Sequence, residues 1–150
     1  ATLVPDPPDA ITSNTGWDTI AHQSMLKDIV AELQEIGTRV SIFINPDAKY
    51  FEPAKLTGTD RVELYTEPYA SHYHQDREKA VKPYVEVSYL ARELGLGLNA
   101  GHDLDLYNLA YLKQQIPFLE EVSIGHALIC DALYYGLENT IQMYRRQLEL

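Results

Sequence analysis

Two spacings of apolar residues follow one another near the start of the chain. Across residues 19–36, apolar side chains recur mostly every three or four positions, which predicts an amphipathic helix with Gly37 as its C-cap. Residues 40–44 then read VSIFI, a run of β-branched and aromatic residues typical of a buried strand. The segment PDPPDAITSNTGWD before the helix is rich in turn-forming residues. The pattern therefore predicts a loop, a helix and a buried strand in succession.

The same succession continues to the end of the chain. Further strands are predicted at residues 1–4, 61–65, 97–100 and 121–124, and helices at residues 48–56, 75–94 and 107–115. Pro83 is expected to kink the longest helix, and Gly95 to end it. One face of a last helix is formed by Ile129, Leu133, Leu137, Ile141, Tyr144 and Leu148. This alternation of strand and helix indicates an α/β fold of parallel βα units in a single domain, residues 1–150.

Polar or titratable residues occur at or near the ends of four predicted strands. Asn45 follows VSIFI, Glu63 lies within RVELYT, NAGH at 99–102 follows GLGL, and the pair Gly125-His126 follows VSI. In parallel α/β proteins, ligands and catalytic groups collect at the carboxyl ends of the strands. The spacing therefore predicts one site shared by these four strand ends.

Charge and cysteine content narrow the classes of partner. A net charge of −10 argues against nucleic acid, since a phosphate backbone requires a basic surface. No apolar run approaches the roughly 20 residues of a membrane span, so no membrane association is expected. The single cysteine, Cys130, cannot form an internal disulfide, which fits a cytoplasmic location.

Longer motifs resemble one known family. LNAGHDLDLYNL, followed by SIGHALICDALYYGL, is similar to the last two βα units of the pyridoxine 5′-phosphate synthase (PdxJ) family. The similarity extends back through RVELYTEPYA, VSIFINPD and LVPDPPDAITSNTGWD, and so covers essentially the whole chain. The resemblance implies a TIM (β/α)8 barrel of which this chain covers roughly strands 4 to 8, with the first three strands absent.

The resemblance also implies an activity. The family condenses 3-amino-2-oxopropyl phosphate with 1-deoxy-D-xylulose 5-phosphate to give pyridoxine 5′-phosphate, phosphate and water, a step of vitamin B6 biosynthesis. It uses no metal and no organic cofactor. The expected partners are therefore small phosphorylated substrates, together with further copies of the chain or the missing N-terminal half. The 150-residue chain by itself is expected to be inactive.

Two residues acquire catalytic roles by resemblance. His102 corresponds to a general acid that donates a proton as a leaving group departs, a task suited to an imidazole because its pKa lies near neutrality. Glu63 corresponds to a carboxylate that stabilises the transition state. Its position inside an apolar strand also predicts burial, and a buried carboxylate needs a partner or a function.

Four residues correspond to binding positions. Gly125 and His126 resemble the pair that binds the phosphate of the aminoketone, and a helix beginning there would offer free N–H groups. Thr12 matches a contact to the pentulose phosphate. Asp103 stands where the family commonly has glycine, so only its backbone N–H is expected to serve the phosphate site.

Other interpretations stay open at this point. A single histidine at a strand end is more often structural, and His102 and His126 are interpreted as functional because of the resemblance. These two histidines, with Asp103 and Asp105, also suggest a metal cluster, although no rigid ligand spacing such as HxxxH occurs. Two rival functions are a non-catalytic half-barrel and a different phosphate-binding TIM-barrel enzyme. The resemblance also implies that the family's other catalytic histidine and glutamate, and its substrate-binding arginine, belong to strands that this chain lacks.

Overall fold

A computed structural model describes residues 1–149 and contains a five-stranded sheet. The strands are β1 (Thr2–Leu3), β2 (Ser41–Ile44), β3 (Arg61–Tyr65), β4 (Gly97–Gly101) and β5 (Leu119–Ser123). Every neighbouring pair is parallel, and the spatial order is β1-β2-β3-β4-β5, the order of the sequence. The predicted parallel βα architecture is therefore confirmed.

Helices connect successive strands and extend the chain after the last one. They are α1 (Gln23–Glu35), α2 (Phe51–Leu56), α3 (Glu67–Glu93), α4 (Leu109–Gln115), α5 (His126–Tyr135) and α6 (Leu137–Arg146), with a 3₁₀ turn at Ala48–Tyr50 before α2. Within residues 1–149, no helix combines the length and the apolar character required to span a membrane.

The two faces of the sheet differ in chemistry because successive strand residues point to opposite sides. One face is apolar and lies in the main hydrophobic core with residues of the helices; its fully buried members include Ile42, Ile44, Val62, Leu64 and Leu98. The opposite face carries polar side chains in adjacent register positions, among them Ser41, Arg61, Glu63, Asn99 and Glu121. The polar face therefore carries the groups that are available for chemistry.

The first half of α3 differs from its prediction. The helix begins at Glu67, well before the predicted start at residue 75. Its backbone leaves helical geometry at Asp76, whereas the kink had been predicted at Pro83. The Asp76 carboxylate accepts the N–H of Lys79 at 3.0 Å, as an N-cap does, so a second helical segment starts there. The predicted start at residue 75 thus matched this internal restart.

The predicted last helix is two helices. Gly136 has a φ of +79°, a conformation that costs glycine little, and it separates α5 from α6. Three of the five aliphatic residues assigned to its apolar face, Ile129, Leu133 and Leu137, are more than half exposed, with Leu133 at 82%. Tyr144 is buried, and its hydroxyl donates to Asp131 at 2.8 Å. The apolar side of α5 therefore does not pack on this sheet.

Candidate active site

An open cavity of about 970 Å³ lies at the carboxyl ends of β3, β4 and β5. The cavity is lined by all six residues predicted from sequence: Thr12, Glu63, His102, Asp103, Gly125 and His126. Further polar lining comes from Glu67, Ser71, Asp105 and Ser123. The structure therefore brings together residues that are spread over more than a hundred positions of the chain.

Glu63 lies near the middle of β3 with only 6% of its surface exposed. One carboxylate oxygen, Oε2, accepts a hydrogen bond from the Thr2 hydroxyl at 2.9 Å. The other, Oε1, lies beneath Gly101 of the neighbouring strand, so close that a Cβ added at Gly101 would be 2.4 Å away. The carboxylate can occupy this place only because residue 101 has no side chain.

His102 follows β4 in an unusual backbone conformation. Its φ is +88°, and that of Asp103 is +57°, so both residues lie in the left-handed region that non-glycine residues seldom adopt. The His102 ring packs against those of Phe43 and Tyr65, with centroid distances of 5.4 and 5.3 Å, and these two rings also contact each other, at 5.5 Å. The imidazole is partly buried and lines the cavity above the end of β4.

The phenol of Tyr65 beside His102 is held in its neutral form. Burial raises the pKa of Tyr65, and the charges of Glu67 and Asp103 raise it further. The hydroxyl is therefore protonated at neutral pH, and the aromatic contact with His102 involves an uncharged ring.

Gly125 and the start of α5 form the third side of the cavity. The first hydrogen bond of this helix runs from the Ile129 N–H to the Gly125 carbonyl at 3.1 Å. The N–H groups of residues 126–128 consequently have no acceptor within the helix. No atom lies within 4 Å of a Cβ built at Gly125, so the approach to these donors is open. This arrangement can bind an anion.

Asn45 does not take the place predicted for it at the shared site. Its side-chain Oδ1 accepts the Gly16 N–H at 3.1 Å, and the neighbouring Trp17 N–H donates to the Phe43 carbonyl at 2.8 Å. Asn45 therefore holds the loop that carries Thr12 against the end of β2, and the prediction that it faces the cavity is wrong.

Asn99 also lies outside the main cavity. Its amide accepts a hydrogen bond from Arg61 and donates one to Glu121, both at 3.1 Å. An ion pair joins Arg61 to Glu120 at 2.8 Å. Arg61, Asn99 and Glu121 line a smaller polar cavity of about 140 Å³, together with Ser41. The shared site is therefore formed by three strand ends and the Thr12 loop, and the predicted fourth strand end does not contribute directly.

The alternative of a metal cluster is not supported by the geometry. His102, Asp103, Asp105 and His126 line the same cavity, but in residues 1–149 no three His, Cys, Asp or Glu side chains converge as metal ligands would. The Asp105 carboxylate instead accepts the N–H groups of Tyr107 and Asn108, at 2.8 and 2.9 Å, before the start of α4. Asp105 therefore caps a turn.

Sequence reasoning missed several residues around the site. Glu67 and Ser71 lie on the first turns of α3, ahead of the predicted start of this helix at residue 75. A signal was present, since Glu67-Pro68 follows a strand directly, and proline is favoured in the first helical turn. The ring contacts of Phe43 and Tyr65 with His102 had no such signal, because they depend on strand register.

The structure has a parallel βα sheet with titratable groups and a helix N-terminus at its carboxyl edge. This arrangement is typical of the class of α/β proteins that bind ligands at that edge. Comparison with known sequences identifies the family. The profile of the family described as pyridoxal phosphate biosynthesis protein PdxJ matches residues 1–150. The chain belongs to the PdxJ family, and the resemblance stated from the motifs is confirmed.

Curated relatives cover almost the entire chain. It is 63% identical to the pyridoxine 5′-phosphate synthase of Cytophaga hutchinsonii over 148 residues, which are 99% of this chain and 62% of the relative. It is 58% identical to the enzyme of the same name from Parabacteroides distasonis over 144 residues, 96% of this chain and 60% of the relative. The chain therefore spans about three fifths of the length of these relatives.

A solved structure shares the fold. The crystal structure of the Amycolatopsis orientalis BexX/CysO complex contains a chain that superposes with a TM-score of 0.56 at 16% sequence identity. The match covers 87% of this chain and 50% of the other. At this identity the likeness concerns the architecture alone.

Proposed function

We propose that this chain is the C-terminal part of a pyridoxine 5′-phosphate synthase, in which β1–β5 are strands 4 to 8 of a TIM (β/α)8 barrel. The family match and the share of its relatives that it covers support this proposal. The polar face of the sheet, whose side chains lie outside the main hydrophobic core, corresponds to a barrel interior. The observation that carries the function is the convergence of Glu63, His102 and the start of α5 on one cavity.

The proposed reaction is the condensation of 3-amino-2-oxopropyl phosphate with 1-deoxy-D-xylulose 5-phosphate, which yields pyridoxine 5′-phosphate, phosphate and water. The phosphate of the aminoketone binds at Gly125 and His126, where unpaired N–H groups and the helix dipole favour an anion. Thr12 contacts the pentulose phosphate from the loop on the opposite wall. Asp103 lines the cavity and contributes its backbone N–H to the phosphate site.

His102 acts as the general acid in this proposal. Its ring lines the cavity and packs against the neighbouring rings of Phe43 and Tyr65, which fix its position beside the space where a substrate would bind. Glu63 stabilises the positive charge that develops on an imine or carbinolamine intermediate, since its buried carboxylate keeps its orientation through the Thr2 hydroxyl. The additional carboxylate of Glu67 favours an amino-bearing substrate over a second anion at this wall.

The replacement His102→Asn in the full-length protein tests this assignment. Asparagine keeps a polar side chain but cannot donate a proton near neutral pH, so turnover should fall by roughly 10²–10⁴-fold while apparent substrate affinity changes little. The pH–rate profile should lose the limb that reports an imidazole. His74→Asn is the matched control, because His74 is exposed on α3 and does not line the cavity.

Two outcomes would contradict the assignment. Near-wild-type turnover in His102→Asn would remove the residue from the mechanism. A loss confined to apparent affinity, with the pH profile unchanged, would make it a binding residue. Absence of synthase activity in the complete wild-type protein would favour the rival interpretation of a non-catalytic barrel.

Unpaired strand edges and an exposed apolar helix face support the proposal that further strands complete the barrel. β1 and β5 each leave one edge unpaired in the described sheet, and the apolar side of α5 is exposed at Ile129 and Leu133. We propose that the remaining strands and helices of the barrel cover these surfaces. Catalysis would then require both parts, in one protein or in an assembly of several copies.

A further inference from the structure

Thr66 occupies the N-cap position of α3, but its side chain does not cap that helix. A threonine at this position normally accepts a hydrogen bond from an N–H of the first turn. The Thr66 hydroxyl is instead directed at the end of β4, where it contacts the Gly101 carbonyl at 2.6 Å and the His102 carbonyl at 2.5 Å. The Thr66 N–H also donates to the Gly101 carbonyl, at 2.9 Å. One fully buried residue therefore binds two consecutive carbonyl groups of the neighbouring strand.

These two carbonyls belong to the peptide groups on either side of the His102 Cα. When both peptide planes are held, the direction of the Cα–Cβ bond of His102 is fixed as well. The constraint acts where it is needed, because the left-handed φ values of His102 and Asp103 are unfavourable for residues with a side chain. Such conformations persist only when surrounding contacts hold them.

The held conformation determines where the imidazole lies. In the relaxed extended conformation, residue 102 would continue β4 and direct its side chain to the opposite face from Gly101. The left-handed turn instead places the ring against Phe43 and Tyr65, over the polar face and in the cavity. The position of the ring thus depends on the turn that Thr66 holds.

We propose that Thr66 is a positioning residue whose hydroxyl holds the Gly101 and His102 carbonyls and thereby directs the His102 imidazole into the cavity above Glu63. Thr66 is completely buried, so it does not touch a substrate itself and acts only through His102. The catalytic consequence rests on the proposed role of His102, whereas the placement of the ring does not.

The replacement Thr66→Val tests the proposal, because valine keeps the shape and removes the hydroxyl. Thr66→Ser retains the hydroxyl and should restore the wild-type behaviour. Thr59→Val is the matched control: Thr59 is also buried, and its hydroxyl contacts two carbonyls, those of Val40 at 2.9 Å and Arg61 at 3.0 Å, at the amino ends of the strands.

Two readouts are measured in the full-length protein, an NMR resonance of His102 and steady-state turnover. The resonance is that of the His102 Cε1–H in protein with labelled histidine, identified by its disappearance in His102→Asn. Because two aromatic rings contact His102, the chemical shift of this resonance is sensitive to the position of the imidazole. Thr66→Val should move it and lower kcat by up to about 100-fold with little change in KM, as expected for a catalytic group displaced by a fraction of an ångström to 1 Å. Thr59→Val should leave both readouts near wild type.

Each outcome bears on one of the two proposals. An unmoved His102 resonance in folded Thr66→Val overturns the positioning role, and so does an equal displacement in Thr59→Val. A moved resonance with unchanged kcat supports the positioning of the ring and overturns the catalytic role given to His102. If Thr66→Val does not fold, Thr66→Cys takes its place, since a thiol is a weaker donor of similar size and should give a smaller shift in the same direction.

Discussion

Replacing Gly101 by alanine should displace the Glu63 carboxylate with only a moderate loss of stability. The new Cβ would lie 2.4 Å from Glu63 Oε1 and 3.1 Å from the Ser123 Cβ, while ordinary contacts start at 3.4 Å, so the oxygen must retreat by about 1 Å. That movement strains the 2.9 Å hydrogen bond from Thr2. Overpacking of this kind costs about 1–3 kcal/mol, and the reduced entropy of the unfolded chain offsets part of it.

The effect on catalysis should be larger than the effect on stability. A displacement of about 1 Å in a catalytic group can cost roughly 100-fold in rate, so Gly101→Ala should lower kcat by about that factor. The assay is steady-state turnover of the full-length protein, together with urea unfolding. Gly97→Ala is the control on the same face of β4: its Cβ meets the flexible side chain of Arg61, 2.7 Å from Cγ, and does not touch Glu63. This control should lose stability and keep its turnover.

A double-mutant cycle tests the physical cause. Glu63→Asp shortens the side chain and removes the overlap, so the stability cost of Gly101→Ala should be smaller in that background than in wild type. Equal costs in both backgrounds, or wild-type turnover in Gly101→Ala, would refute the reasoning that the glycine exists to accommodate the carboxylate.

Three further outcomes are expected. Gly125→Val should weaken binding of inorganic phosphate in calorimetry without unfolding the full-length protein, because the site of the new side chain is open space in front of the helix N-terminus, and unchanged affinity would place the anion elsewhere. The N–H of Val40 lowers the pKa of Asp60 below its ordinary 3.8, so the carboxylate stabilises the fold above that pH and ceases to do so as the pH falls through its lowered pKa. Asp60→Asn should therefore be less stable than wild type at pH 7, and the difference should shrink as the pH falls below 3.8; a constant difference would contradict this. The 150-residue chain expressed alone should associate or aggregate through its unpaired strand edges, and a monodisperse 17.0 kDa monomer in sedimentation would exclude this.

The elements predicted correctly are those whose pattern is local. VSIFI and RVELY have the composition of buried strands, and both form strands in which all or all but one of the residues are buried. The prediction missed the first turns of α3, which begins at Glu67 and not at residue 75. In these polar turns Tyr69 is buried, and its hydroxyl donates to the Asn108 carbonyl across the fold at 2.7 Å. That contact lies 39 positions away, and no local pattern reports it.

In the candidate site, too, local motifs were predictive, whereas features that depend on packing between distant residues were not. The motifs NAGH and IGHA located His102, Gly125 and His126, and the structure places all three at one cavity. Asn45, whose position was predicted wrongly, also stands at a strand end. Gly16 approaches the backbone of Ile44 so closely that its N–H donates to the Asn45 side chain, which therefore binds the loop and not a ligand. Whether a polar residue at a strand end faces a cavity or a loop depends on packing that a strand-end position alone does not specify.

The strand order has a consequence for synthesis on the ribosome. Each strand pairs with the one made immediately before it, so β1 to β4 can assemble in sequence while the rest of the chain is still being translated. The start of α5, by contrast, becomes available only when about the last sixth of the 150-residue chain emerges. We therefore expect ribosome-bound chains that end before residue 125 to resist protease in β2–β4 and yet fail to retain phosphate ligands, and a ligand-protected nascent chain of that length would contradict this order of assembly.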